Sequence, residues 1–137
     1  MRGFALPVIV GLGFLGSCTT APPPMTRSAQ GQQDFERLTA GKVAGPPMQC
    51  LQSREMNDMT VIDESTVAYK RGTSIVYISH MQQPCSGLGS GSAVMVTKSF
   101  GAAQTCRGDI ARMVDPTSRM ELGSCVFGEF TPYTVPR

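Results

Sequence analysis

The 137-residue chain contains no tryptophan, a single histidine and few charged residues, and each shortage excludes a class of protein. Charged residues make up 16% of the chain and the formal net charge is +2, which is too mild for a nucleic-acid-binding protein. A Ser-His-Asp or Cys-His catalytic set would have to use His80, and no Gly-x-Ser-x-Gly sequence accompanies it. The composition therefore predicts one domain without a nucleic-acid partner and without a recognisable catalytic motif.

The longest apolar run lies at the N-terminus, over residues 4–15, and follows the positive charge of Arg2. A membrane-spanning helix needs about 20 apolar residues, so this run is too short for one. A positive start, a short apolar stretch and small residues after it are typical of a secretory signal peptide. We therefore expect residues 1–17 to be a signal peptide.

The segment Leu15-Gly16-Ser17-Cys18 ends that run and resembles the bacterial lipobox. The resemblance implies that Cys18 carries lipid and becomes the first residue of the mature protein. Ordinary cleavage after Ala21 is the alternative, but it would place Pro22 directly after the scissile bond, which disfavours it. The expected location is the bacterial cell envelope, with Thr19 favouring the outer membrane facing the periplasm, and the lipid bilayer is the expected partner.

Proline and turn residues divide the rest of the chain. Residues 18–33 contain three consecutive prolines and predict a disordered tether behind the lipidated cysteine. A short helix is expected over residues 34–40, with Asp34 near its N-terminus, as the start of a single β-rich domain over residues 34–137. The predicted strands cover residues 48–52, 59–62, 66–70, 74–79, 93–98, 109–114 and 124–130. Hairpin turns are expected at Arg71-Gly72 and across residues 115–118, and residues 75–78, which are apolar on both faces, predict a central strand. The fold class is mainly β, a small antiparallel barrel or sandwich with one N-terminal helix.

Four further cysteines, Cys50, Cys85, Cys106 and Cys125, form an even set in a chain expected to be exported. Two disulfides follow as the default in an oxidising compartment, and they would stabilise a small domain with few aromatics. Of the three connectivities we favour Cys85 with Cys106 and Cys50 with Cys125. A zinc site is the weaker alternative because no closely spaced C-x-x-C pair occurs.

Two local patterns resemble functional sites but have simpler structural explanations. The Gly/Ser-rich segment 86–92 resembles a phosphate-binding loop, yet it lacks the Gly-Lys-Ser/Thr ending and a following helix, which favours an ordinary loop. Four carboxylates crowd the first predicted hairpin, namely Glu55, Asp58, Asp63 and Glu64. Exposed turns explain them most simply, because acidic side chains are mostly solvent-exposed when unpaired.

The order of short motifs in the folded part resembles a family of short proteobacterial envelope proteins of unknown function with a four-cysteine β domain. The matching segments are residues 38–45, Cys50-Leu51, residues 61–63 with Val67, residues 84–88, residues 106–110 and residues 125–133. The resemblance covers about residues 35–134 and implies an exported location and a paired-cysteine framework. It implies no activity, cofactor or catalytic residue.

The sequence thus predicts a non-enzymatic binding or structural module, with no catalytic, cofactor or metal residue, and with an envelope protein or glycan as a partner of unspecified identity. The alternative is a small hydrolase or sugar-binding enzyme that uses the hairpin carboxylates with His80 or Asp109, and it requires these groups to converge in one pocket. A third hypothesis, ligand binding in the mouth of a β-barrel, requires an apolar cavity of about 300 Å³ or more.

Overall fold

A computed structural model describes residues 27–98 and 103–137, which form one α-helix, a 3₁₀ turn and ten β-strands. The predicted signal peptide, Cys18 and most of the predicted tether lie outside the described residues. In chain order the elements are α1 (Ala29–Thr39), β1 (Val43–Ala44), β2 (Cys50–Gln52), the 3₁₀ turn (Ser53–Glu55), β3 (Met59–Asp63), β4 (Thr66–Arg71), β5 (Ile75–His80), β6 (Val94–Thr97), β7 (Gln104–Cys106), β8 (Ile110–Val114), β9 (Glu121–Val126) and β10 (Phe130–Thr134).

The strands form three antiparallel sheets. A five-stranded sheet has the order β1-β10-β5-β4-β3, a three-stranded sheet has the order β6-β8-β9, and β2 pairs with β7. The mainly β, antiparallel class with one helix is confirmed, and of the two architectures expected the sandwich fits, because these sheets do not close into a barrel. No helix in the described ranges is long and apolar enough to cross a membrane.

The main core lies between the five-stranded and three-stranded sheets. Alternate residues of β4 and β5 point to opposite faces, so Val67, Tyr69 and Tyr77 contribute to this core. Met113 on β8 and Phe127 after β9 meet them from the other side, both with no exposed surface. The apolar run in β5 was expected to mark a central strand, and β5 does lie between β4 and β10.

The helix covers the other face of the five-stranded sheet. Phe35 and Leu38, three residues apart on α1, pack against Ile78 and its neighbours on the sheet. Phe35 also meets the Tyr133 ring edge-on, with 5.7 Å between the ring centroids. The domain therefore has three layers, with α1 outside, the five-stranded sheet in the middle and the three-stranded sheet beyond it.

The predicted start of the helix at Asp34 is wrong, because α1 begins at Ala29 inside the segment assigned to the tether. Ser28 caps the helix, since its Oγ accepts a hydrogen bond from the Gly31 amide at 3.0 Å. Gly31 lets the first turn lie close to β3, because a Cβ there would come within 2.9 Å of the Ile62 carbonyl oxygen. The polar residues between Ser28 and Asp34 gave no apolar periodicity from which to predict these turns.

The predicted hairpins are confirmed, whereas the last predicted strand is wrong in its extent. The turn at Gly72 joins β4 to β5, and the turn after Asp115 joins β8 to β9. Residues 124–130 were expected to form one strand, but the chain leaves the three-stranded sheet after Val126 and enters the five-stranded sheet at Phe130. Gly128 permits this crossing, because a Cβ there would collide with the His80 carbonyl oxygen.

The two disulfides are present, but the favoured pairing is wrong. Cys50 is bonded to Cys106, and Cys85 is bonded to Cys125. The first pair joins directly opposite residues of β2 and β7. The second joins the segment after β5 to β9 and is fully buried in the main core. In the chain-entropy description, loops with sequence separations of 56 and 40 each correspond to about 4 kcal/mol of stabilisation.

Tryptic digestion without reduction tests the pairing directly, because cleavage after lysine and arginine places each of these cysteines in its own peptide. We expect peptide 43–54 to be linked to 99–107 and peptide 72–98 to be linked to 120–137, as seen by mass spectrometry. A linked pair of 72–98 with 99–107 would instead support the pairing favoured from sequence and would contradict the structure.

Candidate functional site

A cavity of about 530 Å³ lies where three segments of the chain meet. Its walls are the start of α1, the turn between β3 and β4, and the loop after β5. The lining residues are Ser28, Gln30, Ile62, Asp63, Glu64, Ser65, Pro84 and Gly89. We call it the helix–turn cavity, and its volume exceeds the about 300 Å³ that binding a small ligand requires.

The turn between β3 and β4 is fixed by hydrogen bonds on both sides. Asp63 Oδ1 accepts from the Ser65 amide at 2.8 Å and from the Ser65 hydroxyl at 3.0 Å, as an Asp does in tight turns. From the segment after β5, the Met81 amide donates to the Ser65 carbonyl and the Cys85 amide donates to the Glu64 carbonyl. The floor of the cavity is therefore a rigid turn.

The Gly/Ser-rich segment 86–92 forms the second wall. A Cβ at Gly89 would lie 3.0 Å from the Glu64 side chain and 3.2 Å from its backbone nitrogen, so the absence of a side chain lets the loop pack on the turn. Leu88 anchors the loop in the main core with 2% of its surface exposed. The segment thus builds a cavity wall, and the sequence had favoured a loop here over a phosphate site.

Arg27 holds the start of the helix against the turn. Its Nε lies 3.3 Å from Asp63 Oδ2, and its guanidinium lies 4.1 Å from the centre of the Phe35 ring. Both charged side chains are largely shielded from solvent, with 20% of Arg27 and 13% of Asp63 exposed. Each contact contributes about 1 kcal/mol or less at such a site. Together they fix the direction in which the chain enters the domain.

His80 lies at the end of β5, directly opposite Thr66 on β4. Its Nδ1 is 3.1 Å from the Thr66 hydroxyl oxygen. Partial burial lowers the pKa of His80 and the charge of Arg27 lowers it further, while the Asp63 carboxylate opposes both. The imidazole is therefore neutral at pH 7.

The crowded carboxylates of the sequence separate in space. Glu55 pairs with Arg71 at 3.0 Å and Asp58 pairs with Lys70 at 3.3 Å, at the end of β3 away from the cavity. Only Asp63 and Glu64 reach the helix–turn cavity.

The catalytic arrangement that the alternative hypothesis requires is not formed among the described residues. The imidazole ring of His80 is hydrogen-bonded to a threonine hydroxyl and not to a carboxylate in the described part of the chain. Asp109 accepts a hydrogen bond from the Cys106 amide at 2.8 Å and so supports the turn between β7 and β8. Among the carboxylates named for a hydrolase, Asp63 influences the pKa of His80 without a hydrogen bond to its ring, and Glu55, Asp58 and Asp109 engage other partners.

Metal ligands of the usual kinds do not gather in the part of the chain that the structure describes. No group of three or more histidine, cysteine, aspartate or glutamate side chains is placed to hold an ion there. The four cysteines once considered for zinc are engaged in the two disulfides.

Sequence reasoning identified one wall of the cavity and missed another. Asp63 and Glu64 stood out as hairpin carboxylates, whereas Arg27, Ser28 and Gln30 fell in the predicted tether. A Ser three residues before a Gly, followed by polar residues, carries no distinctive signal. The cavity could therefore not be assembled without the three-dimensional position of α1.

The fold and site define a small disulfide-bonded β-sandwich domain that carries a cavity of mixed polar and apolar lining beside its N-terminal helix. The chain belongs to a family of unknown function, DUF6491, whose model matches residues 1–135. The resemblance to a family without assigned activity is thereby confirmed. Neither a search of curated proteins nor a search of solved structures finds a match to the chain.

The single histidine makes the electrostatics of the cavity measurable by proton NMR. We expect Arg27→Gln to raise the pKa of His80, because the variant removes a nearby positive charge, and Asp63→Asn to lower it. Arg37→Gln is the matched control, since Arg37 lies on α1, which Arg27 precedes, but pairs with Asp34. An unchanged His80 titration in Arg27→Gln would contradict the geometry.

The lowered pKa of His80 also makes the stability of the domain depend on pH. The unfolded chain takes up the proton first as pH falls, so the contribution of His80 to stability is present above about pH 6.5 and is lost as pH falls below that value. His80→Gln should reduce the slope of unfolding free energy against pH in this window, measured by urea denaturation at several pH values. An identical slope in both proteins would contradict the expectation.

Proposed function

We propose that the protein is a non-enzymatic binding module of the bacterial cell envelope, anchored by lipid on Cys18, which holds a small polar ligand in the helix–turn cavity. The observation that carries the proposal is the cavity itself, with a volume of about 530 Å³ and a carboxylate at its wall. A proteobacterial origin and the outer membrane, facing the periplasm, belong to the same proposal.

The anchor is supported by the N-terminal sequence. The apolar run ends in Leu15-Gly16-Ser17-Cys18, and the family match begins at Met1, so it includes this segment. The two disulfides are typical of exported proteins, because thiols are kept reduced in the cytosol.

The position of α1 brings the cavity near the proposed anchor. Ser28, a wall residue, follows Cys18 by ten positions, and a fully extended chain spans at most about 3.6 Å per residue. The cavity would then lie within about 36 Å of the lipidated residue. A ligand held there belongs to the membrane surface or to the envelope layer next to it.

The chemistry of the lining favours a hydroxylated ligand that bears a positive group. Ser28, Gln30 and Ser65 offer hydroxyl and amide groups that donate and accept hydrogen bonds. Asp63 is neutralised by Arg27, whereas Glu64 is exposed and makes no ion pair within the described ranges. Glu64 therefore leaves a net negative charge at the wall, which suits an amino sugar or another amino-bearing glycan unit.

Mass spectrometry of the protein extracted from bacterial membranes tests the anchor. We expect the mature N-terminus to be Cys18 with acyl groups attached, because the lipobox directs lipid onto that thiol before cleavage. The Cys18→Ser variant should lose the lipid and leave the membrane fraction. A soluble mature protein that begins at another residue would contradict the proposal.

Saturation-transfer NMR with glucose and glucosamine tests the ligand class on the full-length protein. We expect glucosamine to bind and the Glu64→Gln variant to lose most of that binding, because the charge opposite the amine is removed. Glu129→Gln is the matched control, since Glu129 pairs with Arg107 and does not line the cavity.

Two outcomes would contradict this ligand assignment. Equal binding of glucose and glucosamine would show that the Glu64 carboxylate does not select an amine. Equal loss of glucosamine binding in the Glu64→Gln and Glu129→Gln variants would show that the ligand does not bind in the helix–turn cavity. Cleavage of a glycan by the protein would contradict the non-enzymatic proposal.

A further inference from the structure

A second cavity, of about 310 Å³, shares no lining residue with the helix–turn cavity and has a different chemistry. It is lined by Ser53, Met56, Asn57, Met59, Tyr69, Met95, Thr97 and Thr105. Three of its eight lining residues are methionines, and none carries a charge. We call it the methionine cleft.

The cleft lies at the open side of the sandwich. β3 is the last strand of the five-stranded sheet and β6 is an outer strand of the three-stranded sheet. Met59 opens β3, Met95 lies in the middle of β6, and Met56 ends the 3₁₀ turn that precedes β3. Three separate elements therefore bring a thioether each to one cleft.

Two other methionines, Met81 and Met113, serve only to pack the core and provide a comparison for the cleft methionines. Met81 and Met113 have 1% and 0% of their surfaces exposed, as expected of side chains that fill gaps in a core. Met59, by contrast, is 38% exposed, and Met56 and Met95 are half-buried with contacts to the core on one side. Their thioethers can thus be reached from solvent while their backbones are held in place.

The rest of the lining disfavours hard cations. Magnesium, calcium and zinc require carboxylate, carbonyl, imidazole or thiolate ligands. Among these the side chains of the cleft offer only the Asn57 carbonyl, which is too few for a hard cation. Burial raises the pKa of Tyr69, so its hydroxyl stays protonated and adds no negative charge. Thioether sulfur is a soft neutral ligand that selects Cu(I) among biological metals.

We propose that Met56, Met59 and Met95 form a binding site for a soft monovalent metal ion of the Cu(I) class. Binding requires no redox step, because the ion enters and leaves as a monovalent cation and the thioethers gain and lose no proton. Disulfide bonding of the four domain cysteines makes this site independent of thiolate ligands.

Titration with silver nitrate in chloride-free buffer tests the proposal, since Ag(I) shares the ligand preference of Cu(I) and is not oxidised by air. The protein is the full-length chain with Cys18→Ser, so that no thiol outside the domain competes, and its methionine methyl groups carry ¹³C. We expect one Ag(I) ion per chain and shifts confined to the methyl signals of the three cleft methionines. Zn(II) should cause none of these shifts.

Leucine variants separate binding from packing, because leucine is close to methionine in volume and lacks the sulfur. The triple variant Met56→Leu, Met59→Leu, Met95→Leu should keep the fold, as seen by amide NMR, and lose at least tenfold in Ag(I) affinity. If the triple variant fails to fold, Met59→Leu alone replaces it in the test. This single variant changes the most exposed of the three methionines and should also weaken Ag(I) binding. Met120→Leu is the matched control, because Met120 is 65% exposed and lies outside the cleft.

Three results would overturn the proposal. Ag(I) affinity equal in the parent and the folded leucine variants would show that the thioethers do not bind the ion. An equal loss in Met120→Leu would show scattered binding to exposed sulfur. Competition by Zn(II) at the same methyl groups would contradict a soft site.

Discussion

The buried disulfide between Cys85 and Cys125 is the constraint on which the rest of the domain depends. It connects the segment that follows the central strand β5 to β9, and so ties the five-stranded sheet to the three-stranded sheet through the middle of the core. A domain of about 100 residues buries only about two-thirds of its unfolded surface and has a net stability of about 5–15 kcal/mol. A bond that contributes about 4 kcal/mol by loop closure is a large part of that stability.

The segment that this bond holds in the core also borders the helix–turn cavity. The Cys85 amide donates to the Glu64 carbonyl, and the loop that continues to Gly89 packs on the turn that carries Glu64. The helix closes the cavity from the other side through the ion pair of Arg27 with Asp63. The disulfide, the hydrogen bonds of the turn and the Arg27–Asp63 ion pair thus hold the proposed binding site together, while the methionine cleft lies at the open side of the sandwich.

The class of fold, the central strand and the hairpins could be predicted from the sequence because they depend on local signals. Gly72 between two alternating strands and Asp115 before a turn each specify a short-range structure. The disulfide pairing depends on which strands meet in space, so the order of the cysteines left it open, and opposite positions in β2 and β7 decide it. The switch of sheets at Gly128 was missed for the same reason, since its cause is the carbonyl oxygen of distant His80.

The sequence allowed the turn side of the candidate site to be predicted, but not the helix side. Asp63 and Glu64 stand out in the sequence as hairpin carboxylates. Their separation from Glu55 and Asp58 arises because the extended strand β3 places the two pairs at its opposite ends. The cavity wall formed by α1 could not be predicted, because the first turns of the helix are polar and contact β3 through Gly31 instead of an apolar side chain. The methionines of the cleft come from three elements, and only the short spacing of Met56 and Met59 hints at their meeting.

Urea unfolding with amide hydrogen exchange, applied to two double variants, tests the central role of the buried disulfide most directly. Cys85→Ala with Cys125→Ala should lose more stability than Cys50→Ala with Cys106→Ala, although both loops have similar closure entropy, because only the first pair is wholly inside the core. It should also lose exchange protection at the Met81 and residue 85 amides that hold the turn. Equal destabilisation of the two variants, with protection at those amides retained, would contradict the account.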